Sequence, residues 1–126
     1  MLGNDLKGHL TTSQIQPGAA KTATYNSANS IDLRGYAGEY IVIQEVGAVS
    51  GTTPTLDGKI QDSADNSSFA DVTGYTFTQV TAANSNQQLN VDTRKVRRYI
   101  RYVATIGGTT PSFTMAVIGI GQKATV

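Results

Sequence analysis

The pentapeptide Gly51-Thr-Thr-Pro-Thr55 returns as Gly108-Thr-Thr-Pro-Ser112, and each copy stands between two runs rich in β-branched and aromatic residues. The first copy lies between Glu39-Tyr-Ile-Val-Ile-Gln-Glu-Val46 and Leu56-Asp-Gly-Lys-Ile-Gln-Asp62. The second lies between Arg98-Tyr-Ile-Arg-Tyr-Val-Ala-Thr-Ile106 and Phe113-Thr-Met-Ala-Val-Ile-Gly-Ile120. Runs of this kind form strands, so the repeated unit reads as strand, loop, strand. The glycine at the head of each loop supplies the backbone freedom for a reversal. The proline lacks the amide proton that a ladder needs, so it belongs where pairing has stopped. Each copy is therefore expected to be a β-hairpin connection.

The strand reading extends through most of the chain. Tyr40, Val42, Gln44 and Val46 alternate with Glu39, Ile41, Ile43 and Glu45, and Leu56, Gly58 and Ile60 alternate with Asp57, Lys59 and Gln61. That period of two puts one set of side chains inside and the other toward water. Shorter runs around Tyr25, Ile31 to Leu33, Phe69 to Val72, Tyr75 to Gln79 and Leu89 to Val91 raise the total to about eight or nine short strands, the pattern of a two-sheet sandwich or small barrel. Gly, Thr, Ser, Ala and Asn fill the space between them, a composition that suits turns and strands and suits helices poorly. The expectation is an all-β fold: a β-sandwich or jelly-roll-like antiparallel domain over residues 21–126, with an extended N-terminal arm over residues 1–20.

Two segments are candidates for contact with other molecules. In the arm, Leu2, Leu6, Leu10 and Ile15 are scattered among polar residues and glycines, with Pro17-Gly18 closing the segment. Four such side chains cannot make a core, yet each contributes about 1.5–3 kcal/mol when buried on a partner. Gly3 and Gly8 disfavour a helix there, so the arm is expected to be extended and docked. In the last strand, Phe113, Met115 and Val117 share one side while Ala116, Ile118 and Ile120 share the other. A sandwich covers only one face of each sheet, which leaves Ala116, Ile118 and Ile120 as a candidate subunit interface. Arg97 and Arg101, on one face of the preceding basic strand, are assigned to the same interface as partners for carboxylates on an adjoining strand or subunit.

The remaining chemistry is sparse. The 126 residues include ten basic and nine acidic side chains, no cysteine and one histidine, His9. Near-neutral charge supplies no field to recruit nucleic acid, and strand alternation splits the basic run Arg94 to Arg101 between two faces, so no continuous phosphate-binding rail results. The acidic loop Asp62 to Asp71 departs from a calcium loop, with Ser67 at its sixth position and Thr73 at its twelfth. No catalytic, cofactor-binding or metal-ligating set emerges, and the expectation is a protein that is not an enzyme, carries no cofactor and binds neither nucleic acid nor membrane. The start has no apolar core of signal-peptide length and no later run reaches the length of a membrane span, which points to synthesis in a cytoplasm without secretion.

The string VGAVSGTTPTLDGKIQDSADNSSFADVTG together with VDTRKVRRYIRYVATIGGTTPSFTMAVIGIG resembles small virion proteins of tailed bacteriophages. The resemblance covers roughly residues 35–121 and rests on strand and turn signatures. It implies a capsid decoration, or cement, protein on the outside of the head, bound to the major capsid protein and forming a homo-oligomer, dimer or trimer, at the virion surface. Two other readings remain open: a tail or head-completion protein, and a carbohydrate-binding module, the latter weakened by the absence of tryptophan as a stacking platform.

Overall fold

The structure is a computed structural model that describes residues 6–123. A single helical turn, α1 (Leu6–His9), leads into β1 (Thr11–Lys21), followed by β2 (Tyr25–Asn26), β3 (Ile31–Asp32), β4 (Tyr36–Ser63), β5 (Ala70–Thr76), β6 (Ser85–Asp92) and β7 (Tyr99–Lys123). All strand pairs are antiparallel, as the sequence pattern requires. The frame is the pair of long strands, β4 with 28 residues and β7 with 25, which run against each other from Tyr36↔Lys123 to Ser63↔Tyr99.

At the middle of this frame the two copies of the repeated pentapeptide lie opposite each other. Ser50 pairs with Ser112, Thr52 with Thr109 and Thr55 with Gly107. The copies also share one conformation, with φ of 109° and 47° at Gly51 and Thr53, and 110° and 46° at Gly108 and Thr110. The hairpin connections expected from the sequence are therefore not formed. Two positive-φ residues separated by one residue bend a strand as a bulge does, and each bend finds its partner in the other copy, so neither has to fold back on itself. The prolines do fall where expected, in the breaks of register on either side of the crossing. The short strand segments read from the sequence are present, but the longest are joined in pairs through these bends.

The bends divide the sheet into two halves of four adjacent lanes. In the first, β1, the end of β7, the start of β4 and β6 lie side by side. In the second, β2 and β3 share a lane beside the start of β7, the end of β4 and β5. The inner faces of the halves meet: the Tyr102 hydroxyl of the second donates to Gln44 Oε1 of the first at 2.5 Å, and the Tyr25 hydroxyl reaches Met115 Sδ at 3.2 Å. Tyr40, Val42, Val46, Leu56, Ile60, Ile100, Tyr102, Phe113 and Val117 fill the space between them. The crossing thus turns one sheet into a two-layered domain with a single core.

Residues 11–21 belong to this domain. β1 pairs with β7 from Thr11↔Gly121 to Lys21↔Phe113, and Ile15 is buried in the core cluster. The boundary expected between residues 20 and 21 falls at the end of an edge strand, because the extended segment docks on its own chain.

An ion pair closes the second half. Asp62, only 8% exposed, accepts from Arg97 Nε and Nη2 at 3.0 and 2.9 Å and from the Arg97 backbone N–H at 2.9 Å. Replacing Asp62 with Ala strands both the guanidinium and a backbone amide, and should lower stability by about 1.5–3 kcal/mol, read as a lower urea midpoint. An unchanged midpoint would mean that solvent replaces the carboxylate at no cost.

Candidate interaction face

The outer face of the first half is a small grid set by strand register. Ile41 pairs with Ile120 and Ile43 with Ile118 across the two central lanes. Thr12 and Gln14 flank them from β1, and Asn90 and Gln88 from β6. Below this block lie Ala116, Glu45 and Asn86, with Asn86 Nδ2 donating to Glu45 Oε2; above it Glu39 pairs with Asp92, whose carboxylate is engaged by Arg94. Four isoleucines therefore stand on a sheet surface, bordered on both long sides by uncharged polar groups. Ile118 is 36% exposed; Ile41, Ile43 and Ile120 are half-buried only by one another and their neighbours. Aliphatic side chains gathered in this way, rather than scattered singly, mark a surface that gains by being covered.

At the Glu45 end the face opens into a shallow groove of about 360 Å³, lined by Gly18, Ala19, Glu45, Gly47, Thr114, Met115 and Ala116. Its origin is local. β1 slips register twice around Pro17-Gly18 and β4 slips between Val46 and Val49, so the lanes on either side of β7 part there. The small residues at those slips leave the floor of β7 uncovered.

The outer face of the second half differs in kind. Lys59 Nζ and Gln61 Nε2 donate to the Asp71 carboxylate, and Arg101 donates to Gln61 Oε1 at 2.9 and 2.7 Å while its guanidinium lies 4.2 Å from the Phe69 ring centre. Arg98 forms a two-point pair with Asp32, and this guanidinium holds the Asp32 carboxyl down at about 2. In the adjoining acidic loop, Asp65 accepts from the backbone N–H groups of Ser67 and Ser68 and from the Ser63 hydroxyl, which hold its carboxyl at about 2. That carboxylate serves the turn itself.

Of the residues singled out from the sequence, Ala116, Ile118 and Ile120 lie together on the outer face, as the alternation required. Arg97 and Arg101 do not join them: both belong to the other half and are engaged there by Asp62 and Gln61. Ile15 is spent in the core and offers nothing to a partner. Leu10 is exposed at 37% and, with Ile118, is one of the two large apolar side chains left open among the described residues. Leu2 lies outside the described residues, as does the side chain of Leu6, whose backbone is in α1. Sequence reasoning missed Ile41 and Ile43. Their signal was present, since both alternate with core residues, but Glu39 and Glu45 on the same side made that side look merely solvated.

No protein-family model matches the chain, and no curated protein matches its sequence. Among solved structures, the chain is similar to the crystal structure of the SPBc2 prophage-derived protein YomS, with a TM-score of 0.51 and 14% sequence identity over 89% of this chain and 91% of that one. At that identity the likeness is one of fold: nearly the whole all-β domain shares its course with a domain of prophage origin.

Proposed function

We propose that this chain is a non-enzymatic structural protein of a tailed-phage particle, and more narrowly a decoration subunit that binds the outer face of the head and ties neighbouring capsomers together. The observation that carries the reading is the outer face of the first half, an exposed isoleucine block on a rigid sheet whose opposite outer face is charged and internally paired. A subunit with two such faces is suited to an assembly in which one side is covered and the other meets water. The fold shared with a prophage-derived protein supports the particle setting. Leu10, which precedes β1 at one end of the same face, is assigned together with residues 1–9 to contact with the major capsid protein. Many modest contacts of this kind, repeated over a shell, exceed any one of them in effect.

Copy number in purified particles tests the reading. Quantitative mass spectrometry should find the chain in hundreds of copies per particle; a few rings' worth would assign it to the tail or neck instead, and its absence from particles would overturn the proposal. Removing residues 1–10, which spares every strand, should lower occupancy at least tenfold at equal protein concentration. Unchanged occupancy would free the arm of its assigned role.

A further inference from the structure

The isoleucine face is complementary to itself, and we infer that its partner is a second copy of this chain, laid face to face about a two-fold axis parallel to the strands. Such an axis exchanges the lanes and keeps the rows. Ile118 then lies over Ile43 of the twin and Ile120 over Ile41, so the four isoleucines of each copy cover the four of the other. The flanks match as well: Gln14 falls over Gln88 of the twin and Thr12 over Asn90, each pair able to donate and accept. Glu45 meets the row of Ala116 at the groove of small residues, Glu39 falls over the end of the twin's β7, and Asp92 beside it, already engaged by Arg94, falls over the start of the twin's β1, so no carboxylate faces a carboxylate among the described residues. The other two-fold in the plane of the face, perpendicular to the strands, would set Glu45 over Glu39 of the twin. Charge therefore selects one geometry of the two.

The size of the face fixes the strength. Four lanes about 4.8 Å apart and four rows about 6.8 Å apart give roughly 500 Å² per copy, or about 1,000 Å² in all. That is below the usual range for stable complexes and belongs to transient association. The pair should form at micromolar to millimolar concentration and be reinforced where subunits are crowded on a shell. This inference stands on the face alone and is tested in free solution, so it survives a failed particle assay and can fail where that assay succeeds.

Sedimentation velocity from about 10 μM to 1 mM should show the mass rising from one chain toward two. Ile43→Asp and Ile118→Asp should each shift the dissociation constant upward at least tenfold, with the circular dichroism of the parent. The chain has no cysteine, so the double variant T12C/N90C supplies an independent readout. Within one copy these positions are three lanes apart, whereas across the two-fold they face each other at the roughly 10 Å spacing of packed sheets, too far for a direct disulfide but within reach of a short thiol-to-thiol cross-linker. A bis-maleimide should therefore give far more covalent dimer with T12C/N90C than with either single variant. A mass that stays at one chain up to 1 mM, or a dimer that persists in Ile43→Asp, would overturn the inference. So would a solution monomer whose Ile43→Asp variant loses particle occupancy, since the face would then belong to the shell.

Discussion

Gly108→Ala is expected to lower the melting temperature by roughly 10–20 °C, and Gly51→Ala by the same amount. Both glycines have φ near +110°, where a Cβ costs about 1–2 kcal/mol. A Cβ on Gly108 would also stand 2.6 Å from the Thr53 carbonyl oxygen and 2.9 Å from Pro54 Cα; on Gly51 it would stand 2.6 Å from the Thr110 oxygen and 2.8 Å from Pro111 Cα. These are backbone atoms of the opposing bend, and they cannot turn aside as the end of a side chain could. Overpacking adds about 1–3 kcal/mol, for a total of about 2–5 kcal/mol out of a stability of about 5–15. Gly74 separates the two causes, because its φ is 90° but nothing lies within 4 Å of the added carbon. Gly74→Ala should show the backbone strain alone. Equal losses at positions 74 and 108 would mean that the repeated bends do not pack against each other.

That crossing is also where reading the sequence and seeing the fold part company. The repetition of Gly-Thr-Thr-Pro correctly signals one unit used twice, and the flanking runs correctly signal strands. A glycine and a proline in sequence, however, report only that the backbone departs from a regular ladder. Whether it reverses or bends depends on which segment lies across from it, and that partner is 57 positions away in the chain, the offset between Gly51 and Gly108. Two copies of one local conformation can satisfy each other across a ladder. A single copy would have no such partner, and the hairpin reading would then have been the better one.

The same distinction explains what was legible of the face. Alternation along Phe113 to Ile120 assigns Ala116, Ile118 and Ile120 to the outside without knowledge of any neighbour. That Ile41 and Ile43 complete the patch is a matter of register between β4 and β7, and register is invisible until both strands are placed. The arginines mislead in the opposite direction. Their charge looks available in the sequence, but Asp62 and Gln61 on the adjacent lane of β4 take up Arg97 and Arg101. The arm divides likewise: a period-two segment with one well-placed isoleucine is claimed by the first open sheet edge, which here is β7 of its own chain.

Alkaline titration should unfold the protein cooperatively between about pH 10.5 and 12. Tyr40 and Tyr102 are fully buried, and burial pushes the Tyr40 phenol up to about 12 and the Tyr102 phenol higher still. Tyr25 is raised by burial as well. A folded-state pKa above the unfolded value of 10 means that the fold holds its phenols neutral. Their contribution is complete below pH 10 and is lost as pH rises toward the folded values, since only the unfolded chain can release those protons. The two fully buried phenols, Tyr40 and Tyr102, remove about 2.7 kcal/mol per pH unit, or about 5 kcal/mol by pH 12, comparable with the lower range of domain stability, and the half-buried Tyr25 adds to this. Phenolate absorbance should therefore rise in two waves among the six tyrosines, the second coinciding with loss of the far-ultraviolet sheet signal. Tyr102→Phe sharpens the test. It removes the donor to Gln44 Oε1 and should cost about 1–3 kcal/mol at neutral pH, while reducing the steepness of the alkaline loss by roughly a third to a half. All six phenols titrating together near pH 10 with the sheet intact would mean that the two inner faces do not close over Tyr40 and Tyr102, and that the bends at Gly51 and Gly108 fail to bring the halves together.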